Sequence, residues 1–182
     1  IDELAVPIQT HSNNVEWINN SGIYKNTDGL ITDNNEIILS LQTADCMPIF
    51  LFDKKNNIRG LIHSGWKGTR DKIINNAINI MISKGSNPKD ILLVIGSSIH
   101  KCCYEISKEL SIFFDSDCIS IKNSNFYLSL QEQILSDVCK LCIPIENIHI
   151  DSECTFMNKN LSSYRRDGDK AGRMISLLGN FQ

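Results

Sequence analysis

Residues 46–64 read CMPIFLFDKKNNIRGLIHS, and this stretch predicts the centre of the fold. Two apolar runs, Met47–Phe52 and Ile58–His63, are separated by the polar segment Asp53–Asn57, which is typical of a turn. An antiparallel pair of strands is the simplest structure that joins two such runs through so short a connection. Because the turn lies at one end of this pair, the two outer ends of the strands are expected to meet at the other.

Other strand-like and helical patterns flank this pair. The predicted strands are Glu36–Gln42, Ile91–Ile95, Asn147–Asp151 and Arg173–Leu178, and the predicted helices are Thr69–Lys84, with Gly85 ending it, Ser107–Phe114, and a segment that begins near Ser129 and ends before Pro144. Short early connections and longer later ones favour a mixed β-sheet packed with helices over a doubly wound parallel sheet. We therefore predict an α+β (mixed α/β) fold. Since no repeat or linker divides the sequence, residues 1–182 are predicted to form a single domain.

The composition excludes several classes of protein. The chain has 182 residues with Lys+Arg 18 and Asp+Glu 21, a net charge of −3, and 42% hydrophobic residues. This is a globular composition without a basic cluster, so we expect no nucleic-acid partner. No apolar run approaches the ~20 residues of a membrane helix, and no secretory signal is recognisable, so no membrane partner is expected. The seven cysteines form an odd set in a domain that needs no disulfides, which predicts a reducing, cytoplasmic compartment.

The outer end of the central strand pair carries the first candidates for chemistry. Cys46 immediately precedes one strand and His63 ends the other. A cysteine and a histidine that meet there can form either a nucleophile with its base or two ligands of a metal. His11, in a polar loop, would add a third ligand, and three ligands with an open fourth position are typical of a catalytic zinc site. The alternative interpretations are a small buried cysteine and a histidine on a surface loop.

Glycine and arginine residues indicate where an anion could bind. Gly65 and Gly68 lie in the turn before a predicted helix, where free N–H groups favour an anion, although a plain strand-to-helix turn explains them equally well. Arginines are rare in this lysine-rich chain, yet Arg165, Arg166 and Arg173 fall within nine residues. Their forked guanidinium groups suit a planar oxyanion, and surface ion pairing is the alternative.

A second group of reactive side chains follows the strand Ile91–Ile95. His100, Cys102, Cys103 and Tyr104 are candidates for lining the same cleft as the residues above. Adjacent cysteines rarely bond to each other because the disulfide geometry is strained. Both thiols are therefore predicted to be reduced.

Four groups of residues, in this order along the chain, resemble the signatures of a known family. They are Thr43-Ala44-Asp45-Cys46-Met47-Pro48, His63-Ser64-Gly65-Trp66-Lys67-Gly68-Thr69, Cys102-Cys103-Tyr104-Glu105, and Ser163-Tyr164-Arg165-Arg166-Asp167-Gly168 followed by Gly172-Arg173-Met174. The family is the YfiH type, long described as polyphenol oxidases or laccase-domain proteins. The resemblance extends over nearly the whole chain, and Gln9-x-His11 is similar to the first histidine motif of the family.

This resemblance implies a zinc-dependent purine nucleoside phosphorylase that also has adenosine deaminase and methylthioadenosine phosphorylase activity. Its substrates would be small-molecule purine nucleosides, with inorganic phosphate as co-substrate. The metal ligands of the family carry over to His11, Cys46 and His63, the same trio that residue placement suggests. The older laccase description implies copper, which a thiolate and two imidazoles also suit. A copper-dependent polyphenol oxidase, and a hydrolase with Cys46 as nucleophile and His63 as base, are the alternative functions.

Further roles are predicted from the same comparison of motifs. Arg165 or Arg166, with Lys67 and the helix start near Gly68, are candidates for binding phosphate. Asp45 is a candidate general base or partner of the metal ligands, with a turn-capping role as the alternative. Lys67 stands where the family usually has arginine, so a point charge replaces a bidentate contact. The family also has a longer N-terminal segment than this chain, and we expect part of the pocket to lie in that segment.

Overall fold

The structure, a computed structural model, describes residues 3–180, and their strands form three sheets. The largest sheet consists of β2 (Val15–Trp17), β4 (Gly29–Thr32), β6 (Met47–Asp53), β7 (Ile58–Ser64), β8 (Ile91–Ile95) and β12 (Ile148–Ile150). Its order is β12-β8-β6-β7-β4-β2, so the strand pair predicted from the turn lies at its centre.

Two smaller sheets and a few helices complete the described part of the chain. One sheet consists of β1 (Leu4–Ile8), β3 (Gly22–Lys25), β5 (Ile38–Thr43) and β13 (Met174–Leu178). The other consists of β9 (Glu105–Ile106), β10 (Ile119–Lys122) and β11 (Asn125–Leu128). The α-helices are α1 (Trp66–Arg70), α2 (Ile73–Ser83), α3 (Lys108–Ser111), α4 (Leu130–Lys140) and α5 (Tyr164–Asp167). Their strand orders are β13-β5-β1-β3 and β10-β11-β9. Parallel and antiparallel neighbours occur together in both larger sheets, which confirms the α+β fold class.

The register between β6 and β7 positions two of the candidate residues. The strands pair antiparallel, with Met47 opposite Ser64 and Pro48 opposite His63. Cys46, directly before β6, is therefore brought to the end of the sheet where His63 lies. The expectation drawn from the turn is confirmed.

The six-stranded sheet is covered on both faces. On one face, Ile31 and Ile62 are buried in a core with helices α2 and α4. On the other face, their neighbours Leu30 and Leu61 pack against Leu39 of the four-stranded sheet. Because successive side chains of a strand point to opposite faces, adjacent residues of one strand pack into different hydrophobic cores. The result is a layer of helices, a central sheet and a second sheet.

Several predicted elements differ from the structure in extent. The predicted helix Thr69–Lys84 is two helices, because Lys72 adopts a left-handed conformation with φ 61° between α1 and α2. The ammonium of Lys72 bonds both carboxylate oxygens of the buried Asp137 in α4, at 2.8 and 2.9 Å. Gly85, with φ +99°, follows α2 as predicted. The helix predicted over Ser107–Phe114 has only the four residues of α3.

Seven strands, β1–β4 and β9–β11, were not predicted. Six of them have only two to four residues, too few for a clear periodic pattern. The seventh, β1, has five residues and contains Pro7, a residue that cannot donate to a strand partner. Among residues 3–180, no helix combines the length and the hydropathy that crossing a membrane would require.

We expect Ile49→Ala, in the central strand β6, to lower the free energy of unfolding by about 2–5 kcal/mol, because it leaves a cavity in a fully buried layer. Chemical denaturation monitored by circular dichroism measures the change. Ile121→Ala is the matched control, since Ile121 is 64% exposed, and should change stability by no more than ~0.5 kcal/mol. Equal losses in the two variants would contradict the core described here.

Candidate metal centre

Three residues singled out by the sequence analysis come together at the outer end of β6 and β7. The ligand atoms of His11, Cys46 and His63 all lie within 4.8 Å of one another. The two imidazole rings meet edge to face, with their centroids 4.9 Å apart. His63 is buried, Cys46 is half-buried and His11 is exposed. The cluster is therefore anchored in the protein on one side and accessible on the other.

A buried carboxylate that the sequence analysis missed organises this cluster. Asp28 is fully buried and accepts a hydrogen bond from Nδ1 of His63 at 2.8 Å. It also accepts hydrogen bonds from the backbone N–H groups of Thr10, His11 and Ser12, at 3.1, 3.0 and 2.8 Å. Since Nδ1 of His63 is engaged, Nε2 is the nitrogen left for a metal. The same carboxylate holds the loop that carries His11.

The electrostatics of the cluster favour a thiolate at Cys46. Burial alone would raise the pKa of this thiol, but hydrogen bonds with His11 and His63 lower it to about 7. Burial would lower the pKa of His63, whereas its hydrogen bonds with Asp28 and Cys46 raise it to about 9. Burial also opposes the ionisation of Asp28, yet hydrogen bonds from His63 and Ser12 hold the pKa of that carboxyl below its ordinary range. A thiolate is the form that ligates metals and attacks electrophiles, so both predicted roles of Cys46 are served.

Glycine at the start of α1 leaves the space that the cluster occupies. A Cβ atom added at Gly65 would lie 2.8 Å from Sγ of Cys46 and 3.5 Å from Cδ2 of His11. One added at Gly68 would lie 3.2 Å from the carbonyl oxygen of Ser12. Both glycines therefore allow α1 to pack closely against Cys46 and the His11 loop.

The donor set fits a transition-metal ion. Two imidazole nitrogens and one thiolate are typical zinc ligands, and three protein ligands leave a fourth position free for another molecule. The same donors also suit copper. The buried partner of His63 fixes the orientation of that ring, as carboxylates commonly do for metal-bound histidines.

A cavity of about 810 Å³ opens beside the cluster. His11, Cys46 and His63 all line it. The four-stranded sheet contributes an apolar surface from Leu4, Val6, Leu41, Ile175 and Leu177, and the other large lining residues are Trp66, Ile99, Tyr104, Tyr164, Arg165 and Arg173. Such a volume, mostly apolar with a few polar groups, is typical of a small-molecule site.

Two arginines line the cavity in defined positions. The guanidinium of Arg165 stacks over the ring of Tyr104, 5.1 Å from its centroid, and donates to the carbonyl oxygen of Glu105 at 2.9 Å. Arg173 donates to the carbonyl oxygens of the two residues before it. Burial, together with the nearby Cys46, raises the pKa of Tyr104. The phenol therefore keeps its proton at neutral pH and can donate a hydrogen bond.

The other residues predicted to bind phosphate lie elsewhere in the described part of the chain. Arg166 points its guanidinium at backbone carbonyl oxygens of Thr155, Phe156, Asn158 and Leu161 and so organises the preceding segment. Lys67 and Gly68 are not among the residues that line the cavity. Their roles in phosphate binding stay a prediction.

Asp45 connects the cysteine to the rest of the cavity wall. Its two carboxylate oxygens accept from Oγ1 of Thr155 and from the backbone N–H of Arg165, each at 2.6 Å. Its carbonyl oxygen accepts from the N–H of Ile99 at 2.9 Å. The side-chain bonds join Asp45 to residues 110 and 120 positions away along the chain. Its predicted roles, a capping or turn role and a general base, both stay predictions.

Comparison with known proteins places these observations in a family. The family model described as "Multi-copper polyphenol oxidoreductase laccase" matches residues 1–180. A purine nucleoside phosphorylase of Clostridium acetobutylicum is 36% identical over 176 residues, which cover 93% of this chain and 74% of that protein. The purine nucleoside phosphorylase YlmD of Bacillus subtilis is 32% identical over 190 residues, covering 94% and 68%. The crystal structure of hypothetical protein YfiH of Bacillus licheniformis has a TM-score of 0.93 at 30% identity, covering 98% and 74%.

We expect Asp28→Asn to weaken zinc binding by about 10–100-fold, because the neutral amide no longer fixes the His63 ring and the His11 loop as the carboxylate does. Competition with a chromophoric chelator measures the affinity. Asp53→Asn is the control: Asp53 is equally buried but caps the turn at the other end of β6. If both variants bound zinc as the unmodified protein does, Asp28 would have no part in the centre.

Proposed function

The chain belongs to the family described as multi-copper polyphenol oxidoreductase laccases, and we propose that it is a zinc-dependent purine nucleoside phosphorylase. The curated relatives carry that name, which favours nucleoside chemistry over the phenol oxidation suggested by the family description. The single observation that carries the proposal is the His11, Cys46 and His63 cluster at the edge of a cavity that two arginines also line. The proposal includes adenosine deaminase and methylthioadenosine phosphorylase activity at the same site.

Phosphorolysis requires an anion to be held against the sugar. An oxygen of inorganic phosphate bonds to C1′ of the ribose while the bond from C1′ to the purine nitrogen breaks, and that electron pair leaves with the base. The transition state therefore has positive character at the ribose, with phosphate on one side and a departing purine on the other. In our proposal Arg165 and Arg173 bind the phosphate, since both line the cavity and guanidinium groups bind phosphate oxygens in pairs.

The rest of the cavity suits a purine nucleoside. The apolar surface of the four-stranded sheet, including Val6 and Ile175, would exclude water from the base and the ribose. Tyr104 is held under the Arg165 guanidinium and keeps its proton, so its hydroxyl can donate a hydrogen bond to the leaving purine. This donation would stabilise the negative charge that arrives on the base.

The metal would be held by His11, Cys46 and His63. When bound, zinc would supply a Lewis acid with an open position, which is the chemistry that deamination of adenosine requires. The chain's own contribution is to orient His63 through Asp28 and to keep the thiol of Cys46 close to its charged form. A reducing, cytoplasmic setting is part of the proposal, and it is supported by seven cysteines that all carry free thiols.

We expect Cys46→Ala to lower both phosphate-dependent base release from inosine and conversion of adenosine to inosine. The loss should exceed the ~10–100-fold typical of altered outer partners of a metal, because a ligand itself is removed. Initial rates and circular dichroism are measured on the same preparation. Cys139→Ala, at an exposed thiol of α4, is the control and should keep full activity. Unchanged turnover in folded Cys46→Ala protein would refute the assignment.

Chelation separates this proposal from its alternatives. Loss of both activities on metal removal, with recovery on adding zinc, supports a zinc enzyme. Metal-independent turnover with a covalent adduct on Cys46 would instead identify a cysteine hydrolase. Phenol oxidation that requires copper, without nucleoside turnover, would identify an oxidase.

We expect Arg165→Gln to raise KM for phosphate by about 10–100-fold, which corresponds to the loss of hydrogen bonds to a charged ligand. KM for inosine at saturating phosphate should change far less. Arg70→Gln, at an arginine outside the cavity lining, is the control. A larger effect of Arg166→Gln than of Arg165→Gln on KM for phosphate, in folded protein, would contradict this choice of arginine.

A further inference from the structure

Three thiols form a second cluster in the molecule. The sulfur atoms of Cys102, Cys103 and Cys154 all lie within 4.8 Å of one another. The sulfur of Cys102 is 3.3 Å from that of Cys103 and 3.9 Å from that of Cys154. None of the three lines the cavity described above, so among residues 3–180 this cluster is separate from the His11, Cys46 and His63 centre.

The backbone holds the two thiol-bearing segments together. Ser98 and Cys154 form a parallel β-bridge, and the N–H of Thr155 donates to the carbonyl oxygen of Ser98 at 3.0 Å. The N–H of His100 donates to the sulfur of Cys154 at 3.4 Å. The chain thus brings Cys154 to the turn that carries Cys102 and Cys103 through main-chain bonds. The cluster does not depend on chance contacts between flexible side chains.

The spacing of the sulfurs matches ligation of one ion better than a disulfide. Thiolates bound to a tetrahedral zinc at about 2.3 Å are separated by about 3.8 Å, which follows from the tetrahedral angle. The observed separations of 3.3 and 3.9 Å lie on either side of that value. A disulfide needs a sulfur separation of about 2.05 Å, and one between adjacent cysteines is strained.

The surroundings affect the thiols of the cluster differently, because burial and the neighbouring thiols raise the pKa of Cys103. Burial disfavours the thiolate of Cys154, but N–H groups of His100, Met157 and Phe156 hold the pKa of this thiol below its ordinary value. Nε2 of His100 is buried and has no hydrogen-bond partner within residues 3–180. This nitrogen is one of six buried side-chain atoms without a partner there, and His100 is not part of the three-thiol cluster, so the three sulfurs alone indicate a ligand.

We propose that Cys102, Cys103 and Cys154 form a second metal site, which binds a thiophilic d¹⁰ cation, Zn²⁺ or Cu(I). Soft thiolates select these ions over harder ones. The bound ion would join two segments of the cavity wall. Tyr104 directly follows Cys103, and Thr155, which directly follows Cys154, donates to Asp45 beside the catalytic cysteine. The site therefore acts as a cross-link, in addition to the proposed catalytic centre.

Metal stoichiometry tests the proposal on the full, reduced chain. Zinc titration and elemental analysis should give two zinc ions per chain in the unmodified protein and one in the double variant Cys102→Ser/Cys154→Ser. The control Cys139→Ser/Cys142→Ser removes two exposed thiols outside both clusters and should keep two. Cu(I) offered in place of zinc tests the other ion. If the unmodified protein held only one ion, and the double variant held the same one, the proposal would be overturned.

The Cys46→Ala variant makes this test independent of the catalytic centre. With that centre disabled, one zinc per chain should remain, and cobalt in its place should show the intense near-ultraviolet absorption of several thiolate ligands. In the same variant, zinc at a hundredfold excess over its Kd should raise Tm by about 5–10 °C, and adding Cys102→Ser/Cys154→Ser should abolish the rise. Failure to bind zinc in Cys46→Ala protein, or binding without a rise in Tm, would overturn the cross-link.

Discussion

The buried carboxylate of Asp28 is the constraint on which the site depends. A charge without access to water is costly unless hydrogen bonds replace its hydration, and Asp28 is satisfied only when His63, the His11 loop and the hydroxyl of Ser12 all stand in place. Strand pairing places His63 beside Asp28, since the backbone N–H of His63 also donates to the carbonyl oxygen of Asp28 at 2.6 Å. A wrong strand register would leave the carboxylate unpaired, so the native register and the placement of His63 beside the His11 loop depend on each other.

A second carboxylate, that of Asp45 directly before Cys46, also holds separate segments of the chain together. Asp45 joins the segment before the thiol cluster, the segment after it and the start of α5 through three hydrogen bonds. Asp28 therefore fixes the two histidines, whereas Asp45 fixes the wall that carries Arg165. Cys46 lies between these two arrangements. Segments on both sides of the thiol are therefore held by carboxylate hydrogen bonds.

The sequence predicts the centre of the fold and the meeting of Cys46 with His63 because local signals determine both. The five-residue turn between two apolar runs requires an antiparallel pair, and that pair brings Cys46 and His63 together. Asp28 carries no such signal, since an aspartate before a glycine is common in any turn, and only the pairing of β4 with β7 makes it a partner of His63. Arg165 and Arg166 are neighbours with the same chemistry, and their positions in the short helix α5 place one in the cavity lining and direct the other to four carbonyl oxygens of the preceding segment. Lys72, at the break between α1 and α2, likewise bonds a carboxylate that lies far away along the chain in α4.

The two clusters are physically connected. Cys46 adjoins Asp45, Cys154 adjoins Thr155, and a hydrogen bond of 2.6 Å joins Asp45 to Thr155. Each cluster thus contains a cysteine that is the sequence neighbour of one partner in this hydrogen bond. This bond ties the residue after Cys154 to the carboxylate of the residue before Cys46. The N–H of Arg165 bonds the other oxygen of the same carboxylate, so the position of the cavity arginine is set by the geometry of both clusters.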